Sequence, residues 1–198
     1  MATFAGIAAT SKAILGLLER AAAEEPEFAP AVFSIFTSAD LQRPPGERLG
    51  VSLYLYHVAV NPSRRGAPGR VDASGVRRSA PLPLDLRYLL TAWAKDAATQ
   101  QRLLGWCVRV LQDTPTLPTG VLNSHEPHEV FLPGETVDLV WENLSQQDVF
   151  DIWEVARANQ QPSAAYLART VELDSVVEAD GHALVQTTDF RYATVGGR

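Results

Sequence analysis

Phe4, Ile7, Ala8, Ser11, Ile14, Leu15 and Leu18 recur at steps of three and four residues. That spacing gives residues 4–24 one apolar face and predicts a helix, closed by Pro26 and Pro30. The period then changes. AVFSIFTS, residues 31–38, is short, β-branched and aromatic and predicts a strand; LQRPPGERLG after it reads as a loop. In VSLYLYHVAV, residues 51–60, Val51, Leu53 and Leu55 fall on one face, and Tyr54, Tyr56 and Val58 on the other. A strand apolar on both faces is expected inside its sheet and covered twice. His57 within it reads as a satisfied core or interface histidine. Leu82, Leu84, Leu86, Tyr88 and Leu90 alternate in a further strand. Asp96 is placed to cap a helix with the stripe Leu103, Leu104, Cys107, Val108 and Leu111, ended by Pro115 and Pro118. Val137, Leu139 and Trp141 alternate with Asp138 and Glu142 in a strand over 136–143. A helix over 146–159, a strand over 168–177 and a β-like tail over 183–195 complete the pattern. Helices interrupt runs of consecutive strands, which fits an α+β (α/β-like) fold: one mixed sheet flanked by about three helices. The expected division is a core domain at 1–178 and a C-terminal β-like arm at 179–198.

The helix over 146–159 begins LSQQDVFDIW and puts two aspartates among aromatics. Ser145-Gln-Gln-Asp148 matches a capping box, in which the serine side chain accepts from the amide three residues on and the carboxylate reaches back. Negative charge in a first helical turn also suits the macrodipole. Val149, Ile152, Trp153 and Ala156 then face a core, and Asp151 and Glu154 the solvent. Asp148 is therefore read as a cap and Asp151 as part of a wet face, since a catalytic carboxylate pair needs an enclosed site to separate its pKa values.

Composition narrows the chemistry. The 198 residues suffice for one domain with a sizeable core, and 46% hydrophobic with 20% charged is a globular balance. The net charge of −6 is the wrong sign for a general nucleic-acid binder. One cysteine, Cys107, forbids an intrachain disulfide and suits a reducing cytosol; on the apolar stripe of its helix it reads as an inert buried thiol. The N-terminal stretch lacks a basic leader and is a poor signal peptide. No apolar run approaches the ~18 residues that span a bilayer, and no membrane partner is expected.

The sequence contains no Gly-x-Ser-x-Gly elbow, phosphate loop or dinucleotide fingerprint. His125-Glu-Pro-His128-Glu129 is the cluster most like a metal site, but Pro127 keeps the imidazoles off one helical face and two histidines fall short of a tetrahedral set. No catalytic residue, metal or cofactor is therefore expected. A small metal-dependent enzyme using His125, His128 and Glu129 is the remote alternative.

Residues 61–80 break all periodicity. They carry Arg64, Arg65, Arg70, Arg77 and Arg78 against one aspartate, a local charge of +4 on a chain that otherwise carries −10. A segment this long without structure of its own is functional or solvated. These five arginines are the candidate interface to an acidic surface, including that of an identical neighbour.

Two stretches carry a likeness: SLYLYHVAVNPSRR leading into PLPLDLRYLLTAW, and LSQQDVFDIW followed by PSAAYLARTVELDS. In this order they resemble the tail-terminator or cap family of extracellular contractile injection systems, the phage-tail-like particles of bacteria. The residues that carry it are Leu84, Asp85, Leu86, Tyr88 and Leu89, then Ser145, Asp148, Trp153, Tyr166, Arg169 and Asp174. Many members continue into a further β-rich domain, whereas this chain runs 23 residues beyond Ser175. The resemblance implies a structural protein without an active site. It implies a homo-oligomeric ring, a hexamer, closing the end of the inner tube and sheath. Its partners would be itself and the tube and sheath subunits; assembly would occur in the bacterial cytoplasm, with release as part of the particle. A phage tail-completion or neck protein is the alternative.

Overall fold

The structure is a computed structural model that describes residues 4–43, 48–64, 69, 71 and 75–179. Six strands form one mixed sheet in the order β1-β2-β3-β6-β5-β4: β1 Val32–Phe36, β2 Gly50–Val60, β3 Leu82–Trp93, β4 Thr116–Pro118, β5 Thr136–Glu142 and β6 Ser163–Leu173. β1 and β2 pair in parallel and every other pair is antiparallel. The helices are α1 Gly6–Glu24, α2 Ser38–Leu41, α3 Ala97–Asp113, α4 Thr119–Leu122 and α5 Gln146–Val155. Three of the five are long, as the periodicity requires. The one-turn α2 starts at the end of the expected strand over 31–38 and reaches the segment read as a loop only at Leu41; Thr37 and Asp40 form a capping box there.

α1 and α3 cover one face of the sheet. Small Ala9 and Ala13 let α1 lie close, and Ile14, Leu18, Leu103, Cys107 and Leu111 fill the space above Leu86, Tyr88 and Leu90. Each large apolar side chain buried this way contributes roughly 1.5–3 kcal/mol. Ser11 Oγ and the buried Tyr88 hydroxyl lie 2.9 Å apart in a hydrogen bond, a polar tie of α1 to the sheet centre. Burial raises the Tyr88 hydroxyl well above its ordinary pKa, with the Ser11 bond opposing. α3 starts where expected, with Asp96 Oδ1 accepting from Thr99 N at 2.9 Å.

α5 and α2 cover part of the opposite face through a smaller core of Leu41, Leu89, Trp93, Trp153 and Ala156. Trp93 Nε1 donates to Ser52 Oγ at 2.8 Å, which satisfies two groups that burial would otherwise penalise.

The structure corrects four expectations. A bulge between Leu55 and His57 shifts the phase of β2, so Val58 pairs with Leu86 and lies on the Leu55 face, away from Tyr54. Only the first half of β2 is covered on both sides; from His57 onward it is largely exposed, and His57 is not a core histidine. β6 begins at Ser163, ahead of the expected start at 168, because Ala164 and Ala165 are poor strand formers recruited by pairing with Leu90 and Leu89. α5 ends at Val155, short of 159. Arg157 takes φ 54° there, Arg157 N donates to Glu154 O and Ala158 N to Trp153 O, a Schellman closure without the usual glycine. The β-like tail at 183–195 lies outside the described residues.

Candidate functional site

Several of the motif residues are packed in the two cores, whereas Arg169 is exposed. Leu84, Leu86 and Tyr88 point into the larger core and Leu89 into the smaller one. Tyr166 stands in register with Tyr88 and meets Trp141 edge-on at 5.6 Å. Its hydroxyl is pushed up to about 12 by burial, with neighbouring Cys107 adding to the shift, and burial likewise pushes the Cys107 thiol up to about 12. A thiol so raised is protonated at neutral pH and no nucleophile. Asp85 has a structural task that its exposure pattern hides. Thr170, at φ 63°, is the extra residue of a bulge in β6, and Asp85 Oδ1 accepts from Thr170 N at 3.2 Å and from Asn61 Nδ2 at 3.0 Å. The Asn-Pro turn and the Leu-Asp-Leu strand thus meet in one clasp.

Ser145 and Asp148 form the expected capping box: Asp148 N donates to Ser145 Oγ at 3.1 Å and Ser145 N to Asp148 Oδ2 at 3.1 Å. Hydrogen bonds from the Ser145 side chain and then its backbone hold the Asp148 carboxyl below its ordinary pKa. Trp153 is buried, and Asp151 is exposed with Gln147 Nε2 at 2.6 Å. The start of α5 overhangs a cleft of about 400 Å³ lined by Tyr56, His57, Arg87, Glu142, Asp148 and Asp151. Arg87 pairs with Glu142, and Tyr56 donates to Glu142 Oε2 at 3.0 Å. Burial raises the Tyr56 hydroxyl, opposed by Arg87 and reinforced by Asp148. These groups tie β2, β3 and β5 together on one face.

His125 lies against α1 at Gly16, where an added Cβ would fall 1.9 Å from His125 Nε2. Its neighbour Glu126 pairs with Lys12 at 2.8 Å. His128 and Glu129 are exposed, and among the described residues no group of three or more His, Cys, Asp or Glu side chains is placed to hold a metal ion.

The candidate arginines do not form one patch. Arg64 closes a 3-10 turn, Pro62–Arg64, and lines a cleft of about 280 Å³ with Glu135, Asp138, Arg169 and Glu172. Arg65 and Arg70 lie outside the described residues. Arg77 is exposed. Arg78 donates to Val176 O at 2.9 Å and forms an antiparallel bridge with Glu178. With Ser79 N bonded to Val177 O and Ala179 N to Arg77 O, residues 77–79 and 177–179 prolong the β3–β6 ribbon. The strand expected over 168–177 is thus split, β6 ending at Leu173 and pairing resuming at Val177, and its partner at 77–79 lay in the segment read as aperiodic.

The two edges of the sheet are the remaining surface, and they differ. Val32 N donates to Leu49 O at 3.0 Å, so Val32, Ser34 and Phe36 turn their backbone groups toward β2. Phe33 and Ile35 turn theirs outward. At the other edge β4 is three residues long, is preceded by Pro115 and ends in Pro118.

The family model of the Pvc16 N-terminal domain matches residues 9–187. Among solved structures, the chain is similar to the sheath/tube terminator of an extracellular contractile injection system, PVC, in the extended state. That likeness has a TM-score of 0.59 at 15% identity and covers 96% of this chain and 65% of that one. It is also similar to the tube-terminating cap of the anti-feeding prophage, at TM-score 0.49 and 15% identity, over 82% of this chain and 55% of that one. The chain thus spans less than two thirds of the length of either structure. No curated protein matches. No helix among the described residues is long and apolar enough to cross a membrane. The match over residues 9–187 agrees with the resemblance read from the two motif stretches, and the chain belongs to the Pvc16 N-terminal domain family.

Proposed function

We propose that this chain is a structural cap that terminates the inner tube and sheath of a contractile injection system, assembled as a homo-oligomeric ring, a hexamer. The observation that carries the proposal is the likeness over 96% of the chain to a sheath/tube terminator, joined to family membership over residues 9–187. The physical layout supports it. A capping body needs rigidity, and the sheet here is fixed by a core on each face, a buried Ser11–Tyr88 tie and the Asp85 clasp. It also needs a place for an extended segment of a tube or sheath subunit, and β1 offers outward backbone groups at Phe33 and Ile35 for strand addition. Assembly takes place in the bacterial cytoplasm, and the cap leaves as part of the particle.

The test is loss of the gene in the producing strain, followed by negative-stain imaging. Particles of uncontrolled length or low stability are expected. A normal length distribution and yield overturns the terminator role.

A further inference from the structure

On the face of the sheet that holds α2, the corner at β1 opens into an apolar groove. Phe36 packs against the smaller core. Side chains alternate along a strand, so Ser34 and Val32 point to the same face. Their neighbours in register are small: Ser52 stands beside Ser34, and Gly50 beside Val32. Gly50 in turn stands beside Trp93. Serine and glycine leave a hollow of about 180 Å³ here, lined by Val32, Ser34, Phe36, Leu49, Gly50 and Trp93. Phe36 and Trp93 form an aromatic wall, with ring centroids 6.1 Å apart. Trp93 Nε1 donates to Ser52 Oγ, so the indole needs no polar partner from the hollow. Exposed Arg48 also lines it.

The hollow borders the outer edge of β1, where Phe33 and Ile35 hold their backbone groups to solvent. A strand added antiparallel there bonds to Phe33 and Ile35. The residue it sets opposite Ser34 is then at a non-hydrogen-bonded site, where facing side chains stand closest. Serine is too short to fill the space between them. Diagonal neighbours about 7–8 Å away stay within reach of aromatic and long side chains, so such a side chain passes over Ser34 into the hollow. An apolar cavity of ~150 Å³ takes a benzene ring, so the volume suits one large apolar group. We infer that β1 selects its partner by side chain as well as by backbone. The occupant is an extended segment of a different polypeptide that carries Leu, Met or Phe opposite Ser34 and an acidic residue within reach of Arg48. Val and Thr are too short to enter, and Arg48 disfavours Lys and Arg. Backbone bonds give affinity to an added strand and pockets for alternate side chains give specificity. This selectivity rests on the strand addition proposed above and adds what the strand must carry.

The test uses the full chain in assembled particles, with a photo-reactive benzophenone residue in place of Val32, which is 56% exposed at the mouth of the hollow. Irradiation followed by mass spectrometry should join it to a long apolar side chain of another polypeptide, with Asp or Glu close by in sequence. Ser34→Leu fills the hollow and leaves every backbone group of β1 in place; Ser34→Val is a smaller second filling, and thermal melts check that each is folded. Ser34→Leu should cut the adduct about tenfold, the scale of a filled hot-spot pocket, and leave particles of uncontrolled length. Arg48→Glu should cut it about two- to fivefold, as an exposed ion pair does. Ile35→Pro isolates the backbone contribution. If Ile35→Pro abolishes capping while the folded Ser34 variants cap as well as wild type, the hollow selects nothing and strand addition stands. If Ile35→Pro caps normally, both fall. An adduct to a second copy of this chain, an adduct to a polar segment, no adduct, or one unchanged by Ser34→Leu or Arg48→Glu also overturns the inference.

Discussion

β1 and β4 close the same sheet in opposite ways. β1 is joined in parallel to β2, contains no proline and turns the N–H and C=O groups of Phe33 and Ile35 to solvent, with Val32 56% and Ile35 46% exposed. β4 is three residues long. Leu139 N donates to Pro115 O, which fixes the alternation so that Thr116 and Pro118 face outward, and proline has no N–H to give. Proline and brevity are how proteins keep an edge from pairing. The same chain therefore blunts one edge and leaves the other open. Under the capping role proposed above, an edge open on one side only would accept a strand there and refuse one at the other.

The largest expected effect comes from closing β1. Ile35→Pro removes an outward N–H that no strand among the described residues uses, so the variant should melt within a few degrees of wild type, at a cost of about 1 kcal/mol. Capping should nevertheless be lost, with particles of uncontrolled length. Normal length with this variant breaks the comparison, because strand addition at β1 would then be irrelevant. Ser34→Pro, one residue earlier, removes a bond to β2 and should destabilise the fold by roughly 1–3 kcal/mol. The pair separates edge from ladder.

Gly50 sharpens the point. A Cβ there would lie 2.8 Å from Val32 O, backbone that cannot rotate away. Gly50→Ala should cost roughly 1–3 kcal/mol by denaturant unfolding as β1 is pushed off β2. Gly105, exposed in α3 with nothing within 4 Å of an added Cβ, is the control. Gly105→Ala should stabilise by about 1 kcal/mol.

Opening the blunted edge is a smaller perturbation. Pro118→Thr restores one outward N–H to β4 and should leave stability nearly unchanged, within about 0.5 kcal/mol. Concentration-dependent light scattering should rise above wild type. No rise at any concentration means that length alone blunts β4.

Much of this contrast was legible in the sequence, and some was not. VFSIF announces a strand, whereas Pro115 and Pro118 were readable only as the end of α3, and the three-residue β4 between them was not. The capping boxes and the α3 stripe are local chemistry, readable because both partners sit within four residues. Sheet order is not local. Nothing in the order of strands says that β6 slips between β3 and β5, or that β1 and β2 run parallel. The bulge after Leu55 moves Val58 from the Tyr54 face to the Leu55 face, and the end of β2 is left exposed there. The clasp of Asn61, Asp85 and Thr170 joins residues far apart in sequence, so the resemblance marked Asp85 without giving its task.

The smallest effect concerns how β1 ends. Thr37 N and Thr37 Oγ1 each donate to Asp40 Oδ2 at 2.7 Å, turning the chain from β1 into α2. The side-chain bond from Thr37 and then the backbone bond lower the Asp40 carboxyl below its usual 3.8. A carboxyl whose folded pKa is depressed contributes stability above its unfolded pKa and loses it as pH falls through the folded value. β4 ends in Pro118, which has no titratable group to make such a tie. Thr37→Val removes the hydroxyl bond and should lower the melting temperature slightly at neutral pH. The gap in melting temperature between wild type and Thr37→Val should hold down to about pH 4 and narrow below it, as protonated Asp40 ceases to accept both bonds. If the gap is the same at pH 3 as at pH 7, the charge on Asp40 contributes nothing to the end of β1, and the stop is set by the turn geometry alone.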